Sequence, residues 1–382
     1  MGKKRYRVAQ WGTGHTGRRS LQTVLDHPQY ELVGLRVYSD AKVGRDAGEI
    51  AGVDQKTGVI ATNKIEDILA ARPDCVLYMP LLDHTSTDDM CRLLESGINI
   101  VTTATEFFHP PTMDPERRRR LEAACERGGS SLYETGPGPG FIGVNLPLVA
   151  SLLLRRLDSV KITQFADLSG RNSPDFIKRF FGVDRTTDMS EVAARSIPSD
   201  GASLRQLADA IGCPLDDVTT SARSAVAKKT TKILTTTIEA GTVGAWTMDV
   251  IGLRGGKPFL TFSRTMYVIK ELDPQWRLGD TGWHVDIAGD APLDIDIRFA
   301  KENYDPISPG YNAHIAVNSV AGVCEAEPGI RATDELRLVP IFGPDYREPI
   351  VRASRSRAGR RRGQRVDRTA DPATGRHHSV EV

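Results

Sequence analysis

Val8-Ala9-Gln10-Trp11-Gly12-Thr13-Gly14-His15-Thr16-Gly17 joins a short apolar run to glycines spaced G-x-G-x-x-G. Behind it, Arg18 to Leu25 place Leu21, Val24 and Leu25 on one face and predict a helix. Strand, tight turn and helix in this order predict a dinucleotide site. Gly12 permits the sharp turn, Gly14 removes a Cβ that would block a pyrophosphate, and Gly17 lets the helix lie close on the strand. The bare N–H groups of the first helical turn then face the anion. The expected cofactor contacts here are Gly12, Thr13, Gly14, His15, Thr16 and Gly17. Glycines at this spacing also make plain βα turns. The flanking strand and helix favour the nucleotide.

The next strand, Glu31 to Tyr38, lacks the terminal acidic residue that binds a ribose 2′-OH in NAD-specific sites. Tyr38 and Ser39 stand there, with Arg36, Lys42 and Arg45 nearby. A hydroxyl beside cations suits a 2′-phosphate, so NADP is expected, with NAD the possible substitute and Ser39, Lys42 and Arg45 as contacts. The alternative is a solvated charged loop.

Strands at Asp74–Met79, Gly97–Thr103 and Ser131–Glu134 alternate with helices at Ser86–Glu95 and Asp114–Arg127. Four or five strands joined by helices predict a parallel sheet, with the ligand at its C-terminal strand ends. Pro80, Thr102 and Thr103 are therefore expected at the cofactor. Gly136 to Gly140 reads as an irregular loop or hinge, followed by a helix from Phe141 to Arg155.

Beyond Ser159 the pattern is strand-rich, with strands at 160–167, 232–240, 243–253, 259–271 and 294–299. Helices are expected near 175–181, 190–195 and 202–211. The fold class is therefore α/β: a doubly wound Rossmann domain over 1–142 and an α+β domain over 143–311 with a mainly antiparallel sheet. Residues 314–324 predict a small-residue helix returning to the first domain. Residues 352–382 read as a disordered basic tail.

The 382 residues carry a formal charge of +1, which hides an asymmetry. Nine arginines against Asp367, Asp371 and Glu381 give the tail +6, so residues 1–351 carry −5. Nucleic acid is not the expected partner of the folded part. No apolar run reaches the roughly 18 residues of a membrane span, and Lys3-Lys4-Arg5 leads straight into the first strand without a signal-peptide core. Cys75, Cys91, Cys125, Cys213 and Cys324 are scattered with no C-x-x-C pair, which predicts a reducing cytoplasm and no metal site.

Hydride chemistry at the strand ends needs an acid or base on the same rim, and Asp83, His84, Glu106, His109 and Glu134 are the candidates. Glu106 precedes Phe107-Phe108, which predicts a desolvated carboxylate with a raised pKa. The alternative is a surface or capping carboxylate. His84 and His109 alternatively cap helices or face solvent.

Val8 to Gly17, Leu32-Val33-Gly34, Val43 to Gly48 and Asn99 to Thr103 together resemble the dihydrodipicolinate reductase-like superfamily. Phe165 to Ser169, Asn172-Ser173-Pro174 and Ala326 to Arg331 are similar to its 2,4-diaminopentanoate dehydrogenase and native amine dehydrogenase branch. The resemblance spans residues 6 to about 345 and implies a homodimer that interconverts amine with ketone or aldehyde plus ammonia. It also implies that Glu106, aligned through Pro110, is the catalytic acid/base. The histidine pair and lysine of true dihydrodipicolinate reductases do not occur. Asn145 stands where an acid is common, and Gly170-Arg171 replaces a small residue plus tyrosine. Phe107, Asn145 and Arg171 are thus the expected substrate contacts.

The leading expectation is an NAD(P)H-dependent oxidoreductase acting on a C=N/C–N bond of a small molecule. Carbonyl or C=C reduction is the second enzymatic alternative. A non-catalytic NADPH-binding regulator is the alternative from another class.

Overall fold

The computed structural model describes residues 5–299 and 304–336. The glycine turn connects β1 (Tyr6–Trp11) to α1 (His15–Asp26). Then come β2 (Tyr30–Arg36), α2 (Ala47–Ala51), β3 (Ala61–Thr62), α3 (Ile65–Ala71), β4 (Cys75–Tyr78) and α4 (Thr87–Glu95). β5 (Asn99–Thr102), α5 (Pro115–Gly128) and β6 (Ser131–Glu134) complete this half. With a late strand, Gly329–Arg331, these form a seven-stranded sheet in which every pair is parallel. The expected four or five strands are thus seven. The extra two are two and three residues long, too short to show periodicity.

Local chemistry fixes the helix ends. Ser86 caps α4 by accepting from the Asp89 N–H at 3.1 Å, and Asp114 caps α5 by accepting from that of Arg117 at 2.8 Å. Pro115 opens α5, where no N–H is needed, and Gly129 closes it at φ 63°. The strand order runs from Gly329–Arg331 through β6, β5, β4, β1 and β2 to β3. It reverses direction between β1 and β4, so a ligand crevice opens at their C-terminal ends.

The segment expected to be irregular is instead helical. Pro137–Asn145 forms a widened, π-type helix that runs into α6 (Leu146–Ser151). Both prolines lie near its start, where a missing N–H breaks no helical bond. The helix expected to reach Arg155 stops at Ser151. Past this stop, the Asp290 carboxylate accepts the N–H groups of Arg155 and Arg156 at 3.1 and 2.9 Å and holds the chain as it leaves the helix for the next strand.

β7 (Leu157–Asp167), α7 (Pro174–Phe180), α8 (Ser190–Ala194), α9 (Ala202–Ala210) and β8 (Asp217–Ala227) follow. β9 (Thr231–Lys232) and β10 (Thr237–Ile238) replace the single strand expected at 232–240, because the chain turns back where Ile233 N–H donates to Thr236 O. β11 (Val243–Arg254), β12 (Lys257–Tyr267), β13 (Leu272–Asp273), β14 (Gly282–Gly289) and β15 (Leu293–Arg298) complete the second sheet. Its order is β13-β8-β11-β12-β7-β14-β15. Every pair is antiparallel except β7 with β12, which run parallel and make the sheet mixed.

α10 (Tyr304–Cys324) then returns to the first sheet, starting ten residues before the predicted helix. Ala316, Val317, Val320 and Val323 are buried against Tyr6, Val8, Val24 and Tyr30. Small side chains allow this close approach, and the Tyr30 hydroxyl donates to Val317 O at 3.0 Å. β16 (Gly329–Arg331) is the late strand noted above. The basic tail expected at 352–382 lies outside the described residues. No described helix is long and apolar enough to cross a membrane.

Candidate functional site

At the glycine turn each glycine meets a different constraint. Gly12 has φ 88°, and a Cβ there would sit 2.5 Å from Met79 O. A Cβ on Gly17 would collide with Gly12 O. The fully buried Gln10 reinforces the turn by donating to Gly12 O at 3.0 Å. Gly14 differs: it is exposed, and a Cβ there meets nothing. No side chain caps α1 at this residue. The turn is therefore an open cradle of N–H groups, which fits a pyrophosphate.

The end of β2 supplies a cation. The Arg36 guanidinium lies 4.4 Å from the Trp11 ring and 4.1 Å from the Tyr38 ring. Its Nε and Nη1 are buried without a hydrogen-bond partner among the described residues. Lys42 reaches across to the turn, donating to Thr13 Oγ1 at 3.0 Å and Thr13 O at 3.1 Å. Arg45 instead pairs with Glu49 at 2.8 Å on the surface. Ser39 is exposed at the start of a short 3-10 turn, and His15 is exposed beside the half-buried Thr16. Pro80 and Thr103 are half-buried at their strand ends. Thr102 is buried and structural: its hydroxyl donates to Tyr78 O at 2.8 Å and accepts from Ala104 N–H.

Glu106 departs from expectation. Phe107 and Phe108 are fully buried in the core, so they anchor the loop and do not shield the carboxylate. The Glu106 side chain is 49% exposed and pairs with Arg117, whose guanidinium covers the Phe107 ring at 4.7 Å. The desolvation read from the neighbouring rings is therefore not met. Its backbone carries the functional signal instead. Glu106 has φ 146°, a conformation that L-residues rarely adopt.

The desolvated carboxylate is Glu134, at the end of β6. It is buried, and its Oε2 accepts the N–H groups of Glu106, at 2.9 Å, and of Phe107. Burial pushes its pKa up to about 8, against the backbone donors that favour the charged form. Its Oε1 has no hydrogen-bond partner among the described residues. The sequence placed Glu134 on the rim but gave no sign of its burial.

Beside Glu106 lies a cleft of about 350 Å³, lined in part by Met113, Arg117, Ile197, Ala202 and Arg205. Loop and α5 residues of the first half form one wall, and the segment entering α9 forms the other. His109 ties these walls together through Asp209, 2.9 Å from its Nε2. Asn145 is buried in the π-type helix. Arg171 is exposed after β7, its guanidinium 5.0 Å from the Phe176 ring, amid second-sheet elements. Asp83 is exposed, and His84 stacks on Tyr38 at 4.7 Å.

An open glycine cradle at a Rossmann switch point, with ionisable groups at the next strand ends, defines a nicotinamide-dinucleotide-dependent oxidoreductase. Residues 199–350 match the 2,4-diaminopentanoate dehydrogenase C-terminal domain family. The chain is 31% identical to an amine dehydrogenase of Streptomyces virginiae over 347 residues, covering 87% of this chain and 96% of that one. It is 22% identical to the 2,4-diaminopentanoate dehydrogenase of Acetoanaerobium sticklandii, over 91% and 98% of the two chains. The fold matches the amine dehydrogenase structure from Mycobacterium smegmatis with a TM-score of 0.70, at 22% identity, covering 88% and 98%. The chain belongs to the amine dehydrogenase family.

Proposed function

We propose that this chain is an NADP-linked amine dehydrogenase in which Glu106 is the acid/base. One observation carries the reading. Glu106, at the C-terminal end of β5, has a strained backbone and opens onto the cleft of about 350 Å³. Such strain persists where the surrounding structure enforces it, and it clusters at functional sites.

A dinucleotide whose pyrophosphate lay in the glycine cradle would supply hydride to the substrate carbon, or take it away. In the reductive direction ammonia attacks the carbonyl carbon and a C–N bond forms. As the carbonyl π bond breaks, Glu106 takes a proton from that nitrogen and passes it to the oxygen, giving a hydroxyl; a second proton, supplied by ammonium, lets that hydroxyl leave as water. The resulting iminium carries positive charge beside the carboxylate, which stabilises it. Arg117 holds the carboxylate in place from above. Its mostly apolar walls, Met113, Ile197 and Ala202, suit a short alkyl ketone or aldehyde.

Arg36, with two unpartnered buried nitrogens, and Lys42 support the 2′-phosphorylated cofactor. Gly12, Thr13, Gly14, His15, Thr16 and Gly17 are proposed to line the pyrophosphate, and Ser39, Pro80 and Thr103 the rest of the dinucleotide, with the buried Thr102 bracing that strand end through Tyr78 O and Ala104 N–H. Asn145 and Arg171 remain proposed substrate contacts. Two domains meeting near residue 142, a homodimer formed through the second sheet, and a cytoplasmic location complete the proposal. All five cysteines are free, which supports the last.

The test is NADPH and NADH oxidation with short ketones and aldehydes, with and without ammonium. Ammonium-dependent turnover that falls about a thousandfold in Glu106→Gln, within the usual range for losing an acid/base group, is the expected result. Ammonium-independent turnover would instead assign carbonyl reduction. NADPH binding with no turnover would favour the regulator.

A further inference from the structure

Glu106 and Arg72 are the described non-glycine residues with positive φ. Arg72 sits at a helix end, where a left-handed residue is common. Glu106, at φ 146°, lies outside the left-handed helical well and needs a reason to stay there. The backbone on both sides of its Cα is fixed by Glu134, whose Oε2 takes its N–H and the next one. β5 and β6 are in register at Thr102 and Glu134, so the 103–107 loop folds directly over this carboxylate. Glu134 is buried there, as are Phe107 and Phe108.

We propose that Glu134 is the positioning residue for Glu106: by holding the N–H groups of residues 106 and 107 it fixes the strained backbone and aims the Glu106 carboxylate into the cleft. This rests on Glu106 being the acid/base. A neutral side chain would satisfy two N–H donors equally well, so the carboxylate needs explaining. The ionisable groups facing it are Glu106, with Arg117 beyond, and Tyr133 on its own strand. Burial, with the nearby Glu106 carboxylate adding to it, keeps a proton on Glu134 well above the ordinary carboxylate range.

The experiment pairs kinetics with an amide spectrum of the full chain labelled with ¹⁵N at its eleven phenylalanines, Phe107 being assigned through Phe107→Leu. E134A should lower kcat for ammonium-dependent turnover about a hundredfold, as expected for a displaced catalytic group, with the cofactor KM within about twofold. E134Q keeps an acceptor oxygen for both N–H groups and should recover about tenfold of that loss. Its kcat–pH profile should lose the inflection near 8 expected of the wild-type chain. In the wild type the Phe107 amide should move with a midpoint near 8, and that step should vanish in E134Q. Equal kcat in E134A and the wild type, or a Phe107 amide that does not move between pH 6 and 10, would overturn the proposal. The amide readout needs no substrate. A wild-type chain without amine turnover would therefore sink the reaction assigned above, while the spectrum still decides whether Glu134 governs this loop.

Discussion

The glycine turn at 12–17 and the loop at 103–109 sit at C-terminal ends of strands in one sheet, yet they are held in opposite ways. The turn is shaped by missing atoms: Gly12 and Gly17 exclude a Cβ because backbone oxygens occupy its place. The loop is shaped by side chains from elsewhere. Glu134 holds its backbone, Arg117 its carboxylate, and Asp209 its histidine. A turn built by subtraction is written in its own residues, whereas a loop built by addition is written in its partners.

The largest effect that sharpens this contrast is expected from Gly17→Ala. The methyl meets the Gly12 carbonyl before anything that can move aside, so stability should fall by about 3 kcal/mol, read as the urea midpoint. A variant as stable as the wild type would show that the turn yields, and the contrast would fail.

Next comes the pH dependence of the loop. The folded pKa of Glu134 is raised to about 8, so the folded chain keeps a proton that the unfolded chain releases near the ordinary carboxylate range. Stability from this group is thus fully present below about 4.5 and is lost as pH rises towards 8. Glu134→Gln cannot ionise. Its stability relative to the wild type should therefore rise by about 3–4 kcal/mol from pH 5 to pH 8, measured by urea unfolding at both. A constant difference would mean that the carboxylate is charged throughout.

The smallest effect on folding belongs to Gly14→Ala, where a Cβ meets open space. Stability should change by less than about 1 kcal/mol, while the NADPH Kd rises about tenfold. Unchanged affinity would place the pyrophosphate elsewhere.

The same contrast explains what could be read in advance. The glycine spacing and the alternation of strands with helices are local, and they lead to the right fold class. Resemblance and position single out Glu106 as the proposed acid/base, but the shielding by adjacent rings expected for it is not what the structure shows. Neighbours in sequence need not be neighbours in burial: Phe107 and Phe108 turn inward while Glu106 turns outward. The helix expected over 141–155 forms but stops at Ser151; the chain past it is held by Asp290, some 135 residues away, which no local pattern announces.

By itself, then, the sequence determined the parallel sheet, its dinucleotide turn and the rim on which the chemistry falls, since these follow from periodicity and from the steric freedom of glycine. Only the tertiary structure decided which rim carboxylate is buried and which is exposed, and that Arg36 stacks on Trp11 and Tyr38 beside the turn. Burial and electrostatic pairing depend on what packs from distant segments: β6 beneath Glu106, α5 above it, and α9 across the cleft.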